Sequence, residues 1–245
     1  MQSWIFSSPI EKRKNSGKVR IFCFPWAGGG ASFYKEYFSN IHHEIEICPV
    51  QLPGRENRYG ENFYENMESL CEDFLEEMGA ILEEKPYIFW GHSMGGIISY
   101  YLVQMIAKRG GNLPIHLFLS ASAPPKKKVM QNKRSINQLL RENGTQEEII
   151  KNQELLDIYL PILLADLKLL ESININHLNR ELAVPTTIFG GKNDSMLPTE
   201  ELIDWRNFVK EVRDILVYSG GHMYIRNNRE QLLRDIEEIL LKTGF

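Results

Sequence analysis

Short apolar runs alternate along the chain with longer stretches in which apolar residues recur every three or four positions. Lys18 to Phe24 (KVRIFCF) is a β-type run, closed by Pro25 and by Gly28-Gly29-Gly30. A helix is expected from about Ala31, and Glu44 to Val50 (EIEICPV) predicts a second strand. Met67, Leu70, Cys71, Phe74, Leu75, Met78, Ile81 and Leu82 then recur at helical spacing, and Pro86 stops them. Tyr87 to Trp90 reads as a compact strand. The next helix carries Ile97, Ile98, Tyr101, Leu102, Met105 and Ile106 and ends at Gly110-Gly111. Three more strands are expected at Ile115 to Ala121, Val184 to Gly190 and Asp214 to Gly220, with helical patterns after the last two.

This alternation predicts an α/β architecture, a mostly parallel sheet with helices on both faces. One segment breaks the rhythm. From about Lys126 to Arg180 the pattern is mostly helical and carries no strand signal. An insertion of that length is expected to form a lid over the functional site. Pro124-Pro125-Lys126-Lys127-Lys128 reads as its exposed link. No repeat or low-complexity tract interrupts the chain, so residues 1–245 read as one domain with an insertion at about 126–180.

Composition narrows the function classes. A net charge of −4 gives no reason to expect a nucleic-acid partner or an anionic membrane. Cys23, Cys48 and Cys71 lie far apart without CxxC spacing, which suggests reduced thiols in a cytoplasmic protein and neither a disulfide framework nor a zinc site. The first residues lack the apolar core of a signal peptide, and no uncharged apolar run is long enough to span a membrane. Asn143-Gly144-Thr145 matches a glycosylation triplet, best explained as chance without a secretory signal.

The chemistry starts at Gly91-His92-Ser93-Met94-Gly95, a G-x-S-x-G elbow between a short apolar strand and an amphipathic helix. Such a turn is strained and crowded, so its neighbours must be glycine. It lifts the serine Oγ above the sheet edge and sets the positive end of the following helix beneath any oxyanion. A nucleophilic serine needs a base and a group that orients the base. In the α/β-hydrolase fold these follow in the order Ser, Asp or Glu, His, after late strands. FGGKNDSMLP supplies Asp194 and SGGHMYI supplies His222, each at such a junction. The oxyanion hole is expected from two backbone N–H groups, those of Met94 and of Ala27, with Trp26 lining the pocket.

Other residues compete for these roles. His92 holds the variable position of the elbow and is expected to point away from Oγ. His42, His43, His116 and His177 read as surface or packing residues, and Asp166 as a solvated or structural carboxylate. SASAPP, after the preceding strand, offers no alternative acid. Gly28-Gly29-Gly30 lacks the third glycine of a dinucleotide fingerprint, Phe33 standing in its place, and no G-K-[ST] follows.

The sequence resembles the type II thioesterases, the discrete editing enzymes of polyketide and non-ribosomal peptide assembly lines. The resemblance rests on FCFPWAGGGAS (22–32), QLPGRENR (51–58), GHSMGG (91–96), FGGKND (189–194) and GGHMYI (220–225). It implies Ser93, Asp194 and His222 as triad, Ala27 and Met94 at the oxyanion hole, and no cofactor or metal. It also implies hydrolysis of acyl thioesters on phosphopantetheinyl carrier proteins, removing stalled or mis-primed groups, by an enzyme expected to be a monomer. The alternatives are a medium-chain fatty acyl-carrier hydrolase, an esterase of small free esters and a hydrolase-fold receptor that only binds a ligand. Relatives commonly carry Arg-Ala-Asp in the lid where this chain has Leu164-Ala165-Asp166. Arg55 and Arg58 read either as contacts to the carrier or, preferred, as loop arginines tied to Glu56 or Glu61. Lys126, Lys127, Lys128, Lys133 and Arg134 form a basic run suited to an acidic carrier, with a solvated linker as the default.

Overall fold

The computed structural model describes residues 4–6, 17–125, 136–173 and 182–243. Six strands form one parallel sheet: β1 (Val19–Phe24), β2 (Ile45–Pro49), β3 (Tyr87–His92), β4 (His116–Ser120), β5 (Thr186–Gly191) and β6 (Val212–Tyr218). Their spatial order is β2-β1-β3-β4-β5-β6. β1, β3, β4 and β5 are buried along their whole length, which is why they read as continuous apolar runs.

Side chains alternate between two cores. Phe22, Phe24 and Phe89 pack with Leu70, Phe74 and Ile98, residues of α2 (Met67–Glu83) and α3 (Met94–Arg109). Ile21, Cys23, Ile88 and Trp90 face the other way, with α1 (Ser32–Tyr37) and with α7 (Arg229–Lys242) through Leu232 and Ile236. The helix boundaries follow local chemistry. Asn66 caps α2 by accepting from the Ser69 amide at 2.8 Å, and Gly110 ends α3 at φ 69°.

The connection from β4 to β5 carries α4 (Ile136–Glu142), α5 (Glu147–Lys151) and α6 (Gln153–Glu171), which matches the helical pattern read there. Leu163 and Leu169 of α6 join the core. The basic run from Lys126 to Arg134, and His177, lie outside the described residues.

The helix expected from about Ala31 is present as a short element of six residues. The helical pattern after β5 is met by a 3₁₀ helix, Thr199–Asn207. Its anchor is Trp205, buried, with Nε1–H donating to the Ser122 carbonyl at 2.7 Å.

Candidate active site

β3 ends at His92 and α3 begins at Met94, so Ser93 is the single residue of the turn between them. Its φ is 53°, the left-handed region that an L side chain rarely adopts. The flanking glycines permit the turn. A Cβ on Gly91 would strike the Gly95 carbonyl, and one on Gly95 would strike the carbonyl of Phe24. The first turn of α3 therefore rests against the loop that follows β1.

Asp194 follows β5 and His222 follows β6, at the edge of the parallel sheet where the strands end. His222 Nε2 lies 2.9 Å from Ser93 Oγ, and its Nδ1 lies 2.8 Å from Asp194 Oδ2. A carboxylate only accepts, so Nδ1 carries the proton and Nε2 faces Oγ as an acceptor. Asp194 is itself fixed: its Oδ1 accepts from the amides of Met196 (2.8 Å) and Leu197 (3.1 Å). Asp194 and His222 are both buried. The arrangement can move a proton from Oγ to Nε2 and hold the resulting imidazolium against a buried carboxylate.

The other sequence candidates fall around these three residues. Met94 opens α3, and Ala27 lies in the loop after β1, both buried. Trp26 stands edge-on to the His92 ring at 6.0 Å. His92 is buried behind the elbow, with Nδ1 2.8 Å from Ser120 Oγ, which is in turn 2.6 Å from the Tyr224 hydroxyl. Burial, reinforced by His222 and Arg226, holds its pKa well below the ordinary histidine value, so it stays neutral. His116 is a buried partner of Thr187 at 2.9 Å, and burial followed by the charge of Arg213 lowers its pKa to about 4. Among the described residues no cluster of three His, Cys, Asp or Glu offers a metal site.

Of the two loop arginines, one matches its local reading and one does not. Arg58 binds Glu61, at 2.9 and 2.5 Å, as expected. Arg55 does not bind Glu56. It forms a two-pronged ion pair with Asp166 of α6, at 2.5 and 2.6 Å, and both side chains are buried. Asp166 is thus structural and not solvated. Glu56 instead accepts from the amide and hydroxyl of Ser32. Leu164, where the sequence resemblance leads one to expect an arginine, is exposed, and the cation facing Asp166 comes from Arg55.

The helical connection touches the site in three further places. Asn143 Nδ2 donates to the Ala27 carbonyl at 2.7 Å, and Asp166 Oδ2 accepts from the Gly28 amide at 2.7 Å. Gly144, at φ 70°, lies so close to Met223 that a Cβ there would strike its side chain. Beside these contacts opens a groove of about 730 Å³, whose wall includes Trp26, Gly28, Tyr159, Arg226 and Arg229. Glu36 and Glu56 also line it. Arg226 Nη1 donates to the Gly144 carbonyl at 2.8 Å, and no carboxylate among the described residues pairs with it.

A family model described as "Thioesterase domain" matches residues 19–240. The chain is 33% identical over 240 residues to the gramicidin S biosynthesis protein GrsT of Aneurinibacillus migulanus, covering 95% of this chain and 92% of the relative. It is 30% identical over 231 residues to the thioesterase PikA5 of Streptomyces venezuelae, covering 92% and 82%. ClbQ from the colibactin NRPS/PKS pathway shares the fold with a TM-score of 0.85 at 23% identity, covering 93% of this chain and 99% of that one.

Proposed function

The chain belongs to the thioesterase family, and from that premise we propose that it hydrolyses acyl thioesters carried on the phosphopantetheine arm of carrier proteins, clearing stalled or mis-primed groups from a polyketide or non-ribosomal peptide synthase. The hydrogen-bonded chain Ser93–His222–Asp194 carries the reading. Ser93 Oγ attacks the thioester carbon while His222 Nε2 takes its proton. The amides of Ala27 and Met94 receive the oxyanion. The thiolate leaves and takes that proton back from His222; His222 then deprotonates a water that attacks the acyl-serine, and the proton returns to Ser93 Oγ as the acid is released. Asp194 keeps the imidazole in one tautomer throughout.

The relatives support the substrate class, since GrsT is named for gramicidin S biosynthesis. An esterase of small free esters is the rival. The test compares kcat/KM for an acyl-carrier thioester with that for a p-nitrophenyl ester of the same acyl group. Carrier turnover well above ester turnover is expected, and the reverse ranking would favour the esterase. Cys23, Cys48 and Cys71 are buried and not joined in disulfides, which fits a reducing compartment, so we place the enzyme in the cytoplasm.

The groove beside Trp26 suits the entering arm. Burial lowers the Arg226 pKa, the cost of a guanidinium that meets no carboxylate among the described residues. The arm's phosphate supplies that anion, with Trp26 as the apolar wall next to it; Arg226 lies 5.8 Å from the Trp26 ring. Arg226→Gln is therefore expected to raise KM for acyl-phosphopantetheine by about tenfold, the scale of one charge-assisted hydrogen bond. The same thioester on dephosphorylated pantetheine should be unaffected. Equal changes in both would remove Arg226 from phosphate recognition.

A further inference from the structure

The contacts from the β4–β5 connection converge on one peptide group. The Ala27 carbonyl and the Gly28 amide belong to the same planar unit. Asn143, just after α4, donates to the oxygen of that unit at 2.7 Å, and Asp166 of α6 accepts from its N–H at 2.7 Å. The peptide is held at both ends by the same inserted segment. Arg55 extends the clamp: it fixes Asp166 through two bonds and donates to the carbonyl of Gly29 at 3.2 Å. Gly28 sits at φ 77° under the Tyr159 ring, and the Tyr159 hydroxyl accepts from Asn143 and from Thr145, each at 3.2 Å. The side chains that form the clamp, Arg55, Asn143, Tyr159 and Asp166, are all far from Ala27 in sequence.

Only two soft torsions, φ and ψ of Ala27, separate the clamped peptide from the Ala27 N–H. Fixing the plane on one side therefore limits where that N–H can aim. We propose that Asp166 and Asn143 are positioning residues: by locking the Ala27–Gly28 peptide they aim the Ala27 amide at the oxyanion, so that the hole is complete only while α4–α6 is docked. Opening the segment to admit a substrate releases the peptide, and closing it over the substrate restores the donor. Access and catalytic competence are thereby linked through one carboxylate and one carboxamide. The inference rests on the triad reading above and on Ala27 as an oxyanion donor.

The test uses the full-length enzyme and a small acyl-N-acetylcysteamine thioester, which needs no carrier. Asp166→Asn keeps the size of the side chain. Its oxygen can still accept from Gly28, but its NH2 then faces the Arg55 guanidinium, donor against donor. The clamp must loosen at one end. Asn143→Ala removes the other end without leaving a buried charge. Each variant is expected to lower kcat on the order of 100-fold, as for a small misplacement of a reacting group. KM should stay near its wild-type value. Affinity for a trifluoromethyl ketone analogue, whose adduct with Ser93 places an oxyanion in the hole, should fall in parallel with kcat/KM. Affinity for an unreactive thioether analogue should not.

Because both residues act on one peptide, the double variant should lose little more than the worse single variant. Wild-type kcat in a folded Asp166→Asn enzyme would overturn the proposal. So would equal losses for the ketone and the thioether, or strictly additive losses in the double variant. If Asp166→Asn fails to fold, Asn143→Ala alone decides by the ratio of ketone to thioether affinity. Absence of thioester turnover in the wild-type enzyme would count against the functional reading, which separates the two failures.

Discussion

Ser93→Ala is expected to lower kcat/KM for acyl thioesters on the order of 10⁵-fold or more while leaving the protein folded. Removing the nucleophile of a serine hydrolase leaves only what the oxyanion hole and substrate binding contribute, and the three residues act as a unit. The fold should not notice the change. The Ser93 side chain makes no capping bond to α3, and its hydroxyl meets His222 Nε2. Alanine meets the same steric penalty at φ 53° as serine does, so the strain of the elbow is unchanged. The melting temperature is therefore expected to stay within a few degrees of the wild type, which separates lost chemistry from lost structure. Single-turnover release of free thiol from an acyl-carrier substrate measures the rate, and labelling by a fluorophosphonate reports the nucleophile independently. Substantial residual turnover in Ser93→Ala, with wild-type stability, would mean that another group attacks the thioester. A large drop in stability would mean that the hydrogen bond between Ser93 and His222 holds the loop after β6 in place.

The Ser93–His222–Asp194 cluster is legible in the sequence because each member sits at the end of a strand, and strand ends are marked locally. Gly91 and Gly95 flag the elbow, and glycines precede both Asp194 and His222. The order of the parallel strands then brings three such ends to one edge of the sheet. The clamp is not legible, for the opposite reason. Arg55 and Asp166 are 111 residues apart, and nothing near Arg55 points to α6. Glu56 and Glu61 are the nearer carboxylates, and sequence distance favours them. One signal exists at the other end. Asp166 falls four residues after Ile162 and three before Leu169, on the buried stripe of α6. A carboxylate on an apolar stripe must find a cation or a set of donors, because burying it alone is too costly. The periodicity thus announces that Asp166 is paired, although it cannot name Arg55 or Gly28. The helical pattern after β5 leaves the kind of helix open, because Leu202 and Trp205, both buried, are three residues apart, a spacing that suits a 3₁₀ helix or an α-helix.

Asp194→Asn is expected to cost on the order of 10⁴-fold in kcat, through the tautomer of His222 rather than through the loss of a charge alone. The geometry around Asp194 fixes how an asparagine would sit. Oδ1 receives two amides, from Met196 and Leu197, so the amide oxygen of asparagine must take that place. Its NH2 is then forced toward His222 Nδ1, where the wild-type oxygen accepts at 2.8 Å. A donor in that position requires Nδ1 to be the acceptor, which moves the ring proton to Nε2. Nε2–H points at Ser93 Oγ and cannot take its proton. Asp194→Ala removes the orienting group without imposing the wrong tautomer, but it strands the buried Leu197 amide and the partly buried Met196 amide. The two variants should therefore rank in opposite orders: Asn closer to wild type in melting temperature, Ala at least as active. Measuring kcat and thermal unfolding for both variants checks the crossing. If Asn proves the more active as well as the more stable, the tautomer argument fails, and Asp194 serves His222 mainly as a buried counter-charge that a neutral oxygen can partly replace.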